Sequence, residues 1–282
     1  MELYVCASQL VDCRMTVISW EDLIREKSFL NIPSAVAIGV FDGMHLGHKA
    51  IMKELVAFQA EASVVITFRE NPQLCLTGKS PGSLTTPRQR YELFRKQKVT
   101  HLVLIDFSKE FGRLTGQEFI SAIQESIFVK TLIVGSDFRC GHSRDTDVIA
   151  IREMLSSSGV LVKGIDHVVL KGESISSTRI RKCVHLGEFQ SINKMLGNAY
   201  EIDLGKYFDS SSEGNYFFKS NRLEQILPKF GRYEVIAIDR NSTEVAAVIE
   251  ISGPDIKLWL KDKLNSQLER IRFIDRIQTF RY

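Results

Sequence analysis

The sequence predicts an α/β protein: a domain built on a parallel sheet over residues 1–199, then a small antiparallel, β-barrel-like domain over residues 200–282. Three observations carry this. Short runs rich in Val and Ile alternate with helical segments through the first two-thirds of the chain, the order expected of βαβ units. Those runs are apolar on both faces, as strands buried inside a parallel sheet are. After Gly197 the pattern changes to short alternating runs joined by turn residues, such as "SSSEGN", "GRYEVIAID" and "TEVAAVIEI".

The elements follow in order. The strand "SAVAIGVF" leads to a helix over Leu46–Ala60, and "SVVITF" is followed by a helix over Pro87–Lys98. "HLVLIDF" precedes a helix over Gly116–Phe128, and "TLIVGSDF" one over Asp147–Ser158. "GVLVKGIDHVVL" is the last strand, followed by helices over Thr178–Leu186 and Glu188–Leu196. A boundary near Ala199 separates the two patterns, and the chain carries neither an internal repeat nor a low-complexity tract.

The composition fits a globular protein, with 44% hydrophobic and 25% charged residues over 282 positions. The formal net charge of +3 is too small to argue for nucleic acid, although it suits an anionic small molecule. No apolar run approaches the roughly 18 residues that span a bilayer, and the start "MELYVCASQLVDCRMTV" does not read as a signal peptide. Five scattered cysteines, Cys6, Cys13, Cys75, Cys140 and Cys183, without a CxxC pair, read as reduced thiols of a cytoplasmic protein.

The stretch "AIGVFDGMHLGHKAIM" holds the most chemistry. Gly39, Gly43 and Gly47 are four apart, which matches neither a dinucleotide fingerprint nor a P-loop. The context is nevertheless strand, tight turn, helix. A helix start offers unpaired N–H groups and the positive end of the dipole, and glycine lets a ligand come close. His45 and His48 share one face of the first turn, so the site reads as a phosphate cradle without a lysine. An HxxH pair also suits half of a zinc site, but no third ligand is obvious among His101, His142, His167 and His185. A plain helix cap would need fewer special residues.

"GVFDGMHLGH" resembles the GxFDGxHxGH signature of the adenylyltransferase module of prokaryotic FAD synthetases, within the HxGH nucleotidyltransferases. "VVITFRENP" is similar to the family's TFxPHP strand and loop, "VGSDFRCG" to its VGxDFxFG, and "ISSTRIRKCVHLGEFQSINKMLGNAY" to its SSTxIR block with a closing Leu-Gly. The helix, strand and helix of "LTTPRQRYELFRKQKVTHLVLIDFSKEFGRLTGQEFI" also follow the family, so the ordered match covers residues 35–200.

The resemblance implies a Rossmann-like nucleotidyltransferase that moves AMP from ATP to the phosphate of FMN, giving FAD and pyrophosphate. Its catalytic residues would be His45, His48 and Arg181, the last carried to the ATP phosphates on the SSTxxR helix. Gly39, Phe41, Asp42, Gly43, Gly47, Asp137, Ser176, Ser177 and Thr178 would line the ATP side, with Asp42 ordering the turn. Phe68 and Asn71 would face FMN, with Asn71 where the family has histidine and Glu70 where it has proline. Mg²⁺ would arrive on the phosphates of ATP, without a dedicated metal site. A bifunctional riboflavin kinase/FAD synthetase, an enzyme with another phosphorylated acceptor, or a flavin or nucleotide sensor with decayed catalysis would keep parts of the same pattern.

The second domain resembles the family's riboflavin kinase barrel, whose motif is Gly-Phe-Pro-Thr-Ala-Asn. Here the nearest segment is Asn215-Tyr216-Phe217-Phe218-Lys219-Ser220-Asn221, in which only a phenylalanine and the final asparagine survive. The expectation is a degenerate kinase domain, with small-molecule substrates and no nucleic-acid or membrane partner.

Overall fold

A computed structural model describes residues 15–205, 210–212 and 215–277. Cys6, Cys13 and the rest of the N-terminal segment lie outside the described residues, as do Glu213 and Gly214 of "SSSEGN".

The first domain opens with β1 (Thr16–Ser19) and α1 (Trp20–Arg25), which the sequence reading missed because both are short. Ser19 caps α1 by accepting from the Asp22 amide at 3.0 Å. Then come β2 (Leu30–Ile38), α2 (Leu46–Ala57), β3 (Ala62–Phe68), α3 (Pro72–Thr77), α4 (Pro87–Lys96) and β4 (His101–Ile105). The chain continues through α5 (Gly116–Ser126), β5 (Ile127–Gly135), β6 (Arg139–Cys140), β7 (Thr146–Asp147), α6 (Val148–Leu155) and β8 (Leu161–Ile165).

The sheet order is β1-β4-β3-β2-β5-β8, and every neighbouring pair is parallel. From β2 the chain winds one way to β3 and β4. It then returns to the other side for β5 and β8. The crevice outside the carboxyl ends of β2 and β5 is therefore the switch point where such sheets take ligands. The β2·β5 register shifts around Ser34, next to Pro33, which has no N–H to give the ladder.

Several helices end earlier than expected. The helix expected over Gly116–Phe128 stops at Ser126 because the chain runs straight into β5, whose start is apolar enough to read either way. The strand expected over 159–170 breaks after Ile165; Val169–Leu170 (β9) pairs instead with Glu173–Ser174 (β10) in a small hairpin. Asp147 caps α6, accepting from the Ile149 and Ala150 amides at 3.1 Å.

Helices α7 (Ser177–Leu186) and α8 (Phe189–Leu196) follow, each closed by a left-handed glycine, Gly187 and Gly197. The antiparallel sheet contains β11 (Glu201–Asp203), β12 (Ser210–Ser212), β13 (Asn215–Lys219), β14 (Gly231–Asp239), β15 (Glu244–Ser252), β16 (Asp255–Leu260) and β17 (Leu268–Arg276). Their order is β11-β17-β14-β15-β16-β13-β12. The hydrophobic cluster on this sheet takes in Ile180, Val184, Phe189 and Ile192 of α7 and α8, so those helices share its core. Phe189 stacks on Phe273 at 4.7 Å between ring centres. Among the described residues no helix is long and apolar enough to cross a membrane.

Candidate active site

The turn between β2 and α2 is held in an unusual shape. Phe41 and Met44 both have positive φ, 50° and 41°, a conformation that costs non-glycine residues about 1–3 kcal/mol each. Both side chains are fully buried, and their packing is what keeps the turn. Phe41 meets Phe94 edge-on at 5.8 Å and His48 at 5.2 Å. Gly43 has φ of 84°, and a Cβ there would lie 2.8 Å from the Leu84 side chain. A Cβ on Gly47 would come within 3.1 Å of the His45 ring, so the second glycine of the turn gives the imidazole its room.

His45 is the N-cap of α2, and its Nδ1 accepts from the His48 amide at 3.3 Å. That bond puts the proton of a neutral ring on Nε2. The His45 and His48 rings are stacked, with centroids 3.6 Å apart and planes 20° from parallel. Burial pushes the pKa of His45 down to about 4, helped by His167, and drives that of His48 well below its ordinary value, helped by His45. Without a ligand both of these imidazoles are neutral donors. The Nδ1 of His48 is buried with no hydrogen-bond partner.

Gly39, Phe41, His45, Gly47, His48, Asp137, Ser176 and Ser177 line one cavity of about 290 Å³, so the structure brings these expected residues together. Ser176 caps α7 through the Arg179 amide at 3.2 Å, and Ser177 donates to the Asp42 carbonyl at 2.9 Å. Thr178 is exposed on α7, outside the cavity lining. Asp166 and His167, just past the end of β8, also line the cavity. His167 Nε2 lies 3.6 Å from Asp137 Oδ2. Sequence reading left His167 aside because the strand expected over 159–170 ran through it, whereas the observed strand ends at Ile165.

Asp42 and Arg181 stand behind the turn. The Asp42 carboxylate accepts from the amides of Leu84 at 3.0 Å and Thr85 at 3.1 Å, and from the Thr85 hydroxyl at 3.1 Å. Arg181 donates to Asp42 at 2.5 Å and to the Gly82 carbonyl at 2.7 Å. The buried Asp42 carboxylate and the Gly82 carbonyl hold the guanidinium, and Arg181 is not among the residues that line the cavity.

The residues expected at FMN lie apart from this cavity. Asn71 caps α3 by accepting from the Gln73 amide at 3.0 Å, and lines a second cavity of about 410 Å³ with Arg69, Leu74, Asp106 and Phe107. Phe68 meets Phe107 edge-on at 5.8 Å and Phe111 at 6.2 Å. The motif change at Asn71 therefore keeps a helix cap, followed by Pro72 at the first helical position.

A family model described as FAD synthetase matches residues 29–179, which is more than half of the chain. This chain belongs to the FAD synthetase family. The match takes in the turn, both cavities and the start of α7, and leaves the antiparallel sheet outside. A bifunctional riboflavin kinase/FMN adenylyltransferase of Buchnera aphidicola is 32% identical over 179 residues, covering 61% of this chain and 57% of the relative. A FAD synthetase of Listeria monocytogenes is 28% identical over 173 residues, 60% of this chain and 70% of the relative. The alignment to the Buchnera relative thus spans little more than half of that protein's length. A crystal structure from Streptococcus pneumoniae, described as a macrolide-efflux protein, shares the fold across both domains: TM-score 0.80 at 22% identity, over 95% of this chain and 93% of that one.

Proposed function

We propose that the chain is an FMN adenylyltransferase that joins AMP from ATP to FMN, giving FAD and pyrophosphate, and that it lacks riboflavin kinase activity. The transfer domain is residues 1–199 and the degenerate kinase domain is residues 200–282, in a cytoplasmic protein without nucleic-acid or membrane partners. The observation that supports the reading best is the stacked His45–His48 pair at the start of α2, which lines one cavity with Ser176 and Ser177.

In the reaction an oxygen of the FMN phosphate attacks the α-phosphorus of ATP. The new P–O bond forms as the bond to the bridging oxygen breaks, and pyrophosphate leaves with the electron pair. No covalent nucleophile is needed. The first-turn amides of α2 and the imidazole N–H groups supply donors aimed at the oxygens that gain charge. The rings are neutral in the free protein, and each becomes easier to protonate beside a triphosphate, which strengthens the contact when the substrate arrives. Ser176 and Ser177 add hydroxyls, and Asp137 with His167 forms the wall where the ribose would lie. Arg181 acts by holding Asp42 and the turn, and Phe68 and Asn71 by bounding the flavin side.

Mg²⁺ fits as a complex with ATP. Among the described residues no three His, Cys, Asp or Glu side chains converge as a metal cluster, while Asp137 and Asp166 on the cavity wall can accept from its bound waters. When bound it would neutralise phosphate charge.

The absence of kinase activity is supported by β13. Phe218 is buried in the core of the antiparallel sheet, and Lys219 pairs with Asp255 at 2.5 Å where the resembled motif has threonine. A protonated lysine cannot ligate Mg²⁺. The reading is tested by incubating the protein with ATP, Mg²⁺ and FMN and following FAD by chromatography. FAD accumulation is expected; its absence with protein that binds ATP would favour a nucleotide sensor.

A further inference from the structure

We infer that the antiparallel domain positions the catalytic turn through a strap, residues 82–89, and that Gln225 is the residue that couples the two. The inference rests on the adenylyltransferase reading for its kinetic arm only.

The strap lies between the turn and the antiparallel sheet, and its polar groups are divided between them. On one side, the Leu84 and Thr85 amides and the Thr85 hydroxyl go to the Asp42 carboxylate, and Thr85 Oγ1 accepts from the Gly43 amide at 3.2 Å. On the other, the Leu84 carbonyl accepts from Gln225 Nε2 at 2.8 Å, and the Ser83 carbonyl from the Ile226 amide at 2.9 Å. A single peptide unit on each side of Leu84 therefore ties the turn to the second domain. Thr86 donates to Asp203 at 2.7 Å, and Arg88 forms a bidentate pair with the same carboxylate.

Gln225 is 4% exposed and its amide is fully used. Besides Leu84 it donates to the Glu201 carbonyl at 2.9 Å and accepts from the Asp203 amide at 2.7 Å. It thus fixes β11 and the strap in one frame. The Leu84 side chain sits where a Cβ on Gly43 would fall, so a displaced strap displaces the turn. Phe41 and Met44 hold strained backbone in that turn, which relaxes when its surroundings loosen. His45, one residue beyond Met44, then loses its alignment with His48. An aligned pair of donors acts mainly in the transition state, so the loss appears in turnover and little in substrate binding.

The test compares Gln225→Leu with Ile249→Ala, a core change on β15 that removes none of the strap's hydrogen bonds. Both are assayed well below their melting temperatures with ATP, Mg²⁺ and FMN, and by amide hydrogen exchange over residues 40–48. Gln225→Leu is expected to lower kcat about tenfold with KM for ATP and FMN within about twofold, and to speed exchange in the 40–48 segment. Ile249→Ala is expected to lower Tm by at least as much while leaving kcat and that exchange near wild type. Equal kcat and equal exchange in Gln225→Leu and wild type would overturn the inference, as would equal losses in both variants. If Gln225→Leu fails to fold, Gln225→Met, which keeps the side-chain length and removes the donors to Leu84 and Glu201, is judged by the same two readouts. A wild-type protein that makes no FAD would refute the adenylyltransferase reading instead, and the exchange arm would still decide the strap.

Discussion

The turn after β2 and the turn after β13 each follow a strand that carries a motif of the same resembled family, yet they treat their polar groups in opposite ways. After β2 the chain takes on strained backbone at Phe41 and Met44, buries two neutral imidazoles and leaves one buried ring nitrogen unpartnered. After β13 the groups are satisfied locally: Lys219 is paired with Asp255, and the Ser220 amide donates to the Pro254 carbonyl at 2.8 Å. Strain and unspent donors persist where a ligand can repay them. The contrast between the two turns supports the proposal that the first is a transfer site and the second a retained scaffold.

The comparison can be broken most forcefully at Arg181. Removing its side chain leaves the Asp42 carboxylate buried without its cation, which costs about 3–5 kcal/mol. Arg181→Ala should therefore lower unfolding stability by that amount in denaturant titrations, and Arg181→Lys by less. An Arg181→Ala protein of wild-type stability would mean that the pair is not what holds the turn.

His48→Ala comes next. Loss of one preorganised donor should lower turnover about 10²-fold, close to 2.7 kcal/mol, with FMN affinity nearly unchanged. Steady-state kinetics and flavin fluorescence titration separate the two quantities.

A pH titration sharpens the contrast further. His45 is held neutral in the fold, with a pKa near 4 against 6.5 when unfolded, so the unfolded chain gains a proton first as pH falls. Its contribution to stability is complete above about pH 6.5 and is lost on going down to about pH 4. By pH 5 the loss amounts to about 2 kcal/mol. His45→Asn, which can still cap α2, should lose correspondingly less stability between pH 7 and pH 5 than the wild type. The smallest effect belongs to the other turn: Lys219→Ala breaks an exposed pair and should change stability by less than about 0.5 kcal/mol and FAD formation not at all.

Much of this was legible in the sequence because the parallel domain obeys local rules. Unbroken Val and Ile runs gave its central strands, and glycine spacing gave the turn. Gly231–Asp239, which forms β14, was read from alternation alone. Long-range pairing was not legible. The family resemblance assigns Arg181 to the phosphates, while its pairing with Asp42, 139 positions away, is set by the fold and marked by no local pattern. His167 was passed over because nothing local marks it; it becomes part of the site only when β8 is set beside β5. The strap was invisible for the same reason. Leu84 and Thr85 open a block that follows the family, but nothing local shows that Asp42 and Gln225 divide their backbone groups.

We propose a working transfer site beside a domain without kinase activity. This is tested most directly by two parallel incubations of the wild-type protein with ATP and Mg²⁺, one with FMN and one with riboflavin, analysed by chromatography. FAD and pyrophosphate are expected from FMN, and neither FMN nor FAD from riboflavin. FMN or FAD formed from riboflavin at a rate comparable with FAD from FMN would contradict the proposal.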